Sequence, residues 1–432
     1  MNDMPHRVLT HDTGPPEADP SRPHRSGVFG VLDIGTTKIA CLIGRTETDG
    51  TLRVLGFGWQ KGRGVRGGCI VDLDDAERAI RASVGQVEDM ADTRLRSVTV
   101  NLTCGQPESR LFNVQWPVGG RAVEEHDIRR VVNEGRARAA AEGREPIHAM
   151  PLAFSVDQTD RVADPRGLFC DELTARLHII DAATTALRSL GACIARCDLD
   201  IGELVSAPMA AGLATLVADE RELGATIIDM GGGTTGMAVF AEGQLLHTAQ
   251  LPVGGVHVTN DLARLLSTPV AHAERLKTLY GNAQSSPDDE REMLPVPLVG
   301  EEEHQIAKVP RSMVVNIIRP RLEETFEMVK ERLDSSGLTR AAGTRVVLTG
   351  GACQLGGVRE MAGRILSKQV RLGKPLALRG LPDSASGPAF ATAAGLLAWA
   401  AGEGRIMHDI DLDTDRPAGF IRRIVNFLKE RV

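Results

Sequence analysis

The sequence predicts an α/β chain of two related halves, with a small α/β subdomain inserted in the first half and an amphipathic helix at the C-terminus. Three observations carry that expectation. The segments VFGVLDIGTTKIACLIG (28–44) and ATIIDMGGGTTGMAVFAEG (225–243) match in form. Each is an apolar strand, an aspartate at its carboxyl end, a Gly/Thr turn and a second apolar strand. Their aspartates, Asp33 and Asp229, lie 196 positions apart, so the second segment reads as the counterpart of the first. The span between them at about 95–176 has no such glycine cradle, and the last residues, FIRRIVNFLKERV, segregate apolar from basic side chains on a helix.

The paired turns suit phosphate. Glycine opens backbone angles closed to other residues and leaves room for an anion to reach main-chain N–H groups. Thr36, Thr37, Thr234 and Thr235 add hydroxyl donors beside Gly35, Gly231, Gly232 and Gly233, and Lys38 adds a point positive charge. An aspartate at each strand tip, Asp33 and Asp229, would hold water on a divalent metal. A P-loop is excluded, because neither turn supplies G-x-x-x-x-G-K-[ST] running into a helix. A dinucleotide fingerprint also needs a following helix, whereas KIACLIG and MAVFAEG read as strands. Two such hairpins facing one another would grip a triphosphate from both sides; the plain alternative is a pair of ordinary glycine-turn hairpins.

Composition narrows the function classes. With 50 basic and 57 acidic residues the net charge is −7, which gives no global footprint for nucleic acid. Aromatic residues make up 3% of the chain, too few for a base-stacking platform. No apolar run approaches the roughly 20 residues of a membrane-spanning helix. Residues 1–26, rich in Pro, Asp, Arg and His, read as a disordered arm and lack the apolar core of a secretory signal. The seven cysteines form no C-x-x-C pair, and nothing completes a zinc set around Cys193 and Cys197. They read as reduced, partly buried thiols.

After the first hairpin, 52–72 reads as a strand and a Gly-rich loop. Residues 72–91 have helical spacing through Ala76, Ile80, Val84 and Val87 with an acidic start. RLRSVTVNLTCG (94–105) alternates as a strand. In the insertion, 124–142 reads as a helix presenting Ile128, Val131 and Val132, and 152–158 and 172–180 read as strands. Residues 181–200 return to a helix, and 203–217 is a small-residue helix suited to close packing. After the second hairpin come a turn and helix at VTNDLARLL and a helix at 272–281 ending in glycine. A Pro-punctuated stretch with strand potential near 294–299 follows, then a long helix at 312–337 with a kink expected at Pro320. RVVLTGGACQLGGVREMAGRIL (345–366) reads as strand, glycine turn and helix, an order that suits a nucleoside at the junction. GPAFATAAGLLAWAAGEG (387–404) is a second small-residue helix; crossed with the first, it would form a hinge between halves.

The aspartates at 409, 411, 413 and 415 do not make a calcium loop, because Thr414 and Phe420 stand where glycine and glutamate are needed. In the terminal segment Phe420, Ile421, Ile424, Val425, Phe427 and Leu428 fall on one side of a helix, with Arg422, Arg423 and Lys429 on or beside the other. A basic amphipathic helix on a polar tether reads as a surface-lying membrane anchor. The alternative is a helix docked on the protein's own core or on a partner.

The ordered set LDIGTTK, small-residue helix, IIDMGGGTTG, LTGGA and second small-residue helix resembles the actin, sugar kinase and DnaK-type ATPase superfamily. Within it, RELGATIIDMGGGTTGMAVF, TPVAHAERLKTLYG, VVLTGGACQLGGV, the insertion and the tail resemble the FtsA family of bacterial cell division. The resemblance implies an actin-like ATPase fold in four subdomains: IA at 27–94 and 177–204, IC at 95–176, IIA at 205–262 and 344–401, and IIB at 263–343. It implies a linker at 402–418 and a membrane-targeting helix at 419–432. It assigns ATP and Mg2+ to Asp33, Gly35, Thr36, Thr37, Lys38, Asp229, Gly231, Gly232, Gly233, Thr234 and Thr235. It gives ribose and base to Glu274 and Lys277 and the adenosine turn to Gly350 and Gly351. Glu203, nine residues before Gly212, matches the place of a water-orienting residue; its other reading is a solvated carboxylate at a helix start.

The same resemblance implies a scaffold with slow ATP turnover that tethers FtsZ to the cytoplasmic face of the inner membrane at the septum. The FtsZ C-terminal peptide would bind IIB, copies of the chain would assemble into actin-like filaments, later division proteins would meet IC, and anionic lipids would take the tail. GEEEHQ (300–305) departs from the basic loop common in IIB. A small-molecule kinase and a type IV pilus assembly ATPase are the alternatives within the superfamily.

Overall fold

The structure is a computed structural model and describes residues 27–300 and 306–403. The expected arm at 1–26, most of the linker and the terminal helix at 419–432 lie outside the described residues, as do residues 301–305.

The first half opens with β1 (Gly27–Ile34), β2 (Lys38–Thr46) and β3 (Leu52–Lys61), followed by a small ribbon of β4 (Val65–Arg66) and β5 (Cys69–Ile70). Helix α1 (Leu73–Ala91) comes next, and β6 (Ser97–Leu102) closes this stretch. Asp72 caps α1 by accepting from the Asp75 amide at 2.9 Å, and Ala76, Ile80, Val84 and Val87 are buried as their spacing predicts. The inserted unit comprises β7 (Glu108–Ala122), α2 (Glu125–Ala139), β8 (Arg144–Val156), β9 (Thr159–Val162) and β10 (Phe169–Ala183). Its sheet runs β7-β10-β8-β9, covered by Ile128, Val131 and Val132 of α2. The chain then returns through α3 (Thr184–Arg196) and β11 (Asp200–Ser206).

The second half contains α4 (Ala207–Thr215), α5 (Ala218–Leu223), β12 (Ala225–Met230), β13 (Thr235–Ala241) and β14 (Gln244–Leu251). It continues through α6 (Gly255–Leu265), α7 (Val270–Tyr280), the ribbon β15 (Met293–Pro297) and β16 (Ile306–Pro310), and α8 (Arg311–Ser335). It finishes with β17 (Arg345–Thr349), α9 (Val358–Leu366), β18 (Gln369–Leu372) and α10 (Ala391–Ala400). Pro320 lies inside the continuous α8.

The two main sheets repeat one plan. The first runs β3-β2-β1-β6-β11 and the second β14-β13-β12-β17-β18. In each, the central strand is antiparallel to its hairpin partner and parallel to the strand on its other side. The duplication visible in the two hairpins therefore extends to whole sheets.

Two boundaries differ from the sequence reading. The insertion does not begin at 95, because β6 pairs with β1 and β11 in the first main sheet. VTVNL is buried throughout, as a central strand requires. Nor does the insertion end at 176, because β10 pairs with β8 through Ala183. Likewise 203–217 is not one helix: Glu203–Ser206 belong to β11, and α4 starts at Ala207 with Pro208 in its first turn, where a missing N–H costs nothing.

Helices α4 and α10 are buried along their whole length and pack against each other between the two main sheets. The contact is set by Gly395: a Cβ there would lie far inside van der Waals contact with the Ala210 carbonyl oxygen, which is backbone and cannot step aside. The insertion also reaches the second half. His178 is fully buried on β10 and donates from Nδ1 to the Leu245 carbonyl at 3.0 Å, while its Nε2 accepts from the Ser109 hydroxyl at 2.6 Å. Ser109 Oγ in turn accepts from the Thr248 amide at 3.2 Å. Burial drives the imidazole pKa down to about 4, consistent with this single neutral tautomer. Edge strand β14 is thereby covered by the insertion.

Gly395→Val should force α4 and α10 apart and lower stability by about 1–3 kcal/mol, the usual cost of overpacking a core. Thermal unfolding followed by circular dichroism measures this, and an unchanged midpoint would contradict the close crossing.

Candidate functional site

The two hairpins close with the same backbone turn: the Gly35 amide donates to the Lys38 carbonyl at 2.9 Å, and the Gly231 amide to the Thr234 carbonyl at 2.9 Å. Both turns border one cavity of about 450 Å³ between the halves. They nearly touch. A Cβ on Gly232 would stand 2.5 Å from the Thr37 methyl, and one on Gly233 would collide with the Thr36 hydroxyl. Glycine at 232 and 233 is thus needed for the second turn to approach the first.

Each strand-tip aspartate is braced. Behind Asp33, the carboxamide of Asn101 on β6 clasps Ile34, accepting from its amide at 2.7 Å and donating to its carbonyl at 3.3 Å. Asp229 accepts from the Thr392 hydroxyl of α10 at 2.8 Å. Behind it passes Gly350, whose φ of 84° is left-handed and where a Cβ would collide with the Asp229 carboxylate. The Gly350 amide donates to the Pro388 carbonyl at 3.1 Å, tying this turn to the approach to α10.

Charge in the cavity is poorly compensated. Burial lifts Asp33 to about 6, with Asp229 adding to the rise and Lys38 opposing it. Burial also raises Asp229, against the Thr392 hydrogen bond and Lys38. Lys38 is pushed down to about 8 by burial, although both aspartates favour its charge. Its ammonium donates to the Ala389 carbonyl and stands 3.4 Å from the centroid of the Phe390 ring. Two carboxylates facing hydroxyls and carbonyl oxygens form a hard-oxygen environment that suits Mg2+. Among the described residues no group of three or more His, Cys, Asp or Glu side chains gathers to hold a metal alone. A cation here would therefore share its coordination with water and phosphate.

Farther along the cavity, Lys277 on α7 donates to the Glu274 carboxylate at 2.7 Å, the Thr259 hydroxyl at 2.9 Å and the Gly255 carbonyl at 3.1 Å. Gly350 and Gly351 line the same end, where a short 3₁₀ turn over Gly351–Gln354 stands between β17 and α9. Asp33, Gly35, Thr36, Thr37, Lys38, Asp229, Gly231, Gly232, Gly233, Thr234, Glu274, Lys277, Gly350 and Gly351 all border the one cavity.

Two sequence-assigned residues stand elsewhere. The buried hydroxyl of Thr235 donates to the Val253 carbonyl at 2.8 Å, behind the turn and not among the cavity-lining residues. Glu203 is neither a solvated carboxylate nor a cavity residue: it is buried on β11 and accepts from the Trp399 indole at 2.6 Å. The residues proposed for the membrane, 420–429, lie outside the described residues. Asn101, Thr392 and Gln250 line the cavity and were not singled out. Asn101 had one signal, an amide in the otherwise apolar β6. The cysteines are free, and burial pushes the thiols of Cys41, Cys104 and Cys353 up to about 12.

Comparison with known proteins adds relatives to this geometry. The family model of the cell division protein FtsA matches residues 226–395, and that of the SHS2 domain inserted in FtsA matches 104–181, close to the insertion seen here. The cell division protein FtsA of Rhizobium meliloti is 42% identical over 395 residues, covering 89% of each chain. That of Escherichia coli K12 is 32% identical over 377 residues, covering 85% of this chain and 88% of its own. Among solved structures, the PilM–PilN type IV pilus biogenesis complex aligns with a TM-score of 0.63 at 16% identity, over 88% of this chain and 99% of that one. MreB5 of Spiroplasma citri bound to ADP aligns at 0.50 and 13%, over 85% and 94%. These structural likenesses establish the actin-like fold.

The charge imbalance predicts a pH-dependent stability. A carboxyl whose folded pKa stands above its usual value destabilises the fold once ionised, so stability falls as pH rises from about 4 to about 6 and stays lowered above that. Asp33→Asn removes the penalty. In protein purified without nucleotide it should be more stable than wild type by about 1–3 kcal/mol near pH 7.5, with the gap closing near pH 4. Chemical denaturation at both pH values measures this, and a less stable variant at the higher pH would contradict it.

Proposed function

The chain belongs to the FtsA family of cell-division proteins, and we propose that it acts there as an ATP-binding, actin-like scaffold that holds FtsZ filaments at the membrane. The observation that carries this reading is the convergence of two identical turns, from two sheets of identical order, on a single cavity. One turn offers Gly35, Thr36, Thr37 and Lys38 to the phosphates; the other offers Gly231, Gly232, Gly233 and Thr234. The backbone amides and hydroxyls supply donors, and Lys38 supplies the charge. Asp33 and Asp229, whose ionised forms lack full compensation, would hold the water shell of Mg2+, which supplies charge neutralisation on the phosphates. The paired Glu274 and Lys277 would face the ribose and base, and Gly350 and Gly351 the adenosine.

Because the ligand touches both halves, binding favours the closed arrangement of the α4–α10 crossing. A closed cleft would present matched surfaces to further copies of the chain, forming filaments. In this reading subdomain IIB, 263–343 with α7, the β15–β16 ribbon and α8, takes the FtsZ peptide, and the insertion meets later division proteins. Residues 419–432 would lie in the cytoplasmic leaflet at the septum, where each basic side chain near anionic lipid contributes about 1 kcal/mol beside apolar burial. Turnover would be slow, in keeping with a scaffold.

Asp229→Ala should abolish ATP binding in a calorimetric titration, and retained affinity would remove the phosphate assignment. Co-sedimentation tests the tether. With anionic liposomes, FtsZ should pellet with the full chain and remain in the supernatant with residues 1–418. Equal pelleting by both would defeat the membrane role of the last residues.

A further inference from the structure

Gln250 on β14 is in register with Gly236 on β13, which is in register with Asp229 on β12. Residues paired across adjacent strands project from the same face of a sheet, so the three form a row ending at the aspartate. Gly236 contributes no side chain, and the Gln250 carboxamide occupies the space this leaves. A Cβ on Gly236 would stand 3.2 Å from Gln250 Oε1 and 3.1 Å from the Pro208 ring. Gln250, Gly236, Pro208 and Asp229 all line the cavity.

The carboxamide oxygen is uncommitted. Its Oε1 is buried and, among the described residues, has no hydrogen-bond partner. By contrast, Asn101 on the opposite wall spends both ends of its amide on Ile34. A carboxamide oxygen only accepts, so it needs a donor. The phosphoryl oxygens of a nucleoside triphosphate are also acceptors. The ribose hydroxyls are the ligand's other donors, and they are assigned to the Glu274–Lys277 end of the cavity, so the donor expected at this position, in a row with Asp229, is the O–H of a water.

We propose that Gln250 orients the attacking water in ATP hydrolysis, the role the sequence had given to Glu203. The proposal rests on the nucleotide reading above. In the step, the water oxygen bonds to the γ-phosphorus. The bond from that phosphorus to the bridging oxygen breaks, and its electron pair leaves on ADP. The water's proton passes to the released phosphate and then to solvent. Gln250 neither gains nor loses a proton; it accepts one hydrogen bond and points the water's lone pair at phosphorus.

The test uses the full chain with magnesium, measuring AMPPNP affinity by titration and ATP hydrolysis under single-turnover conditions. Gln250→Leu keeps the bulk and loses the acceptor. Its affinity should stay within about 3-fold while its turnover falls on the order of 10- to 100-fold. Gln250→Glu keeps an acceptor at the same reach and should recover part of the rate. Three outcomes would overturn the proposal: undiminished turnover in Gln250→Leu, parallel losses of affinity and rate in both variants, or a wild type that binds ATP without hydrolysing it. A wild type that binds no nucleotide would instead remove the parent reading, and this inference with it.

Discussion

Two carboxylates drawn into the cleft at the tips of opposed sheets, Asp33 buried and Asp229 partly buried, set the terms for the rest of the molecule. Asp33 and Asp229 close the central strands of the two halves, and burial lifts the pKa of both. Lys38 offsets only part of that charge while losing solvation itself. Such a cluster does not stabilise the fold; groups strained in this way persist where they serve a ligand. The stability that tolerates it comes from elsewhere, from central strands buried on both faces and from helices α4 and α10 buried along their length.

Much of this organisation was legible in the sequence, because it rests on local chemistry. An apolar strand ending in Asp, followed by Gly and Thr, specifies its own turn, and two copies of the pattern imply two related sheets. Amphipathic helices such as α1 and α2 announce their buried faces by spacing. The boundaries that were misplaced are set by tertiary partners. VTVNL reads as a strand anywhere, and only its pairing with β1 and β11 assigns it to the first main sheet. Glu203 illustrates the same limit. Its distance from Gly212 suggested a catalytic place, but β11 runs on to Ser206 and Trp399 of α10 takes up the carboxylate. Gln250 was invisible because its meaning arises from cross-strand register with Gly236 and Asp229.

The insertion is tied to more than its own half. Its chain enters and leaves through the first main sheet, yet Ser109 and His178 hydrogen-bond to β14 in the second. His148 on β8 accepts from the Ser206 amide at the start of α4 at 3.2 Å and stands 5.7 Å, edge-on, from Trp399 of α10. The insertion thus touches both halves and the helices that cross between them. Strand β14, which it covers, also carries Gln250 at the cavity wall, so one edge strand borders both the candidate nucleotide site and the insertion.

One nucleotide, in this reading, is held by both halves at once. A crystal structure with Mg-AMPPNP tests it most directly. Triphosphate density is expected between residues 33–38 and 229–235, with main-chain amides of both turns within hydrogen-bond distance of phosphoryl oxygens. Density confined to one turn, or a nucleotide bound outside this cavity, would contradict it.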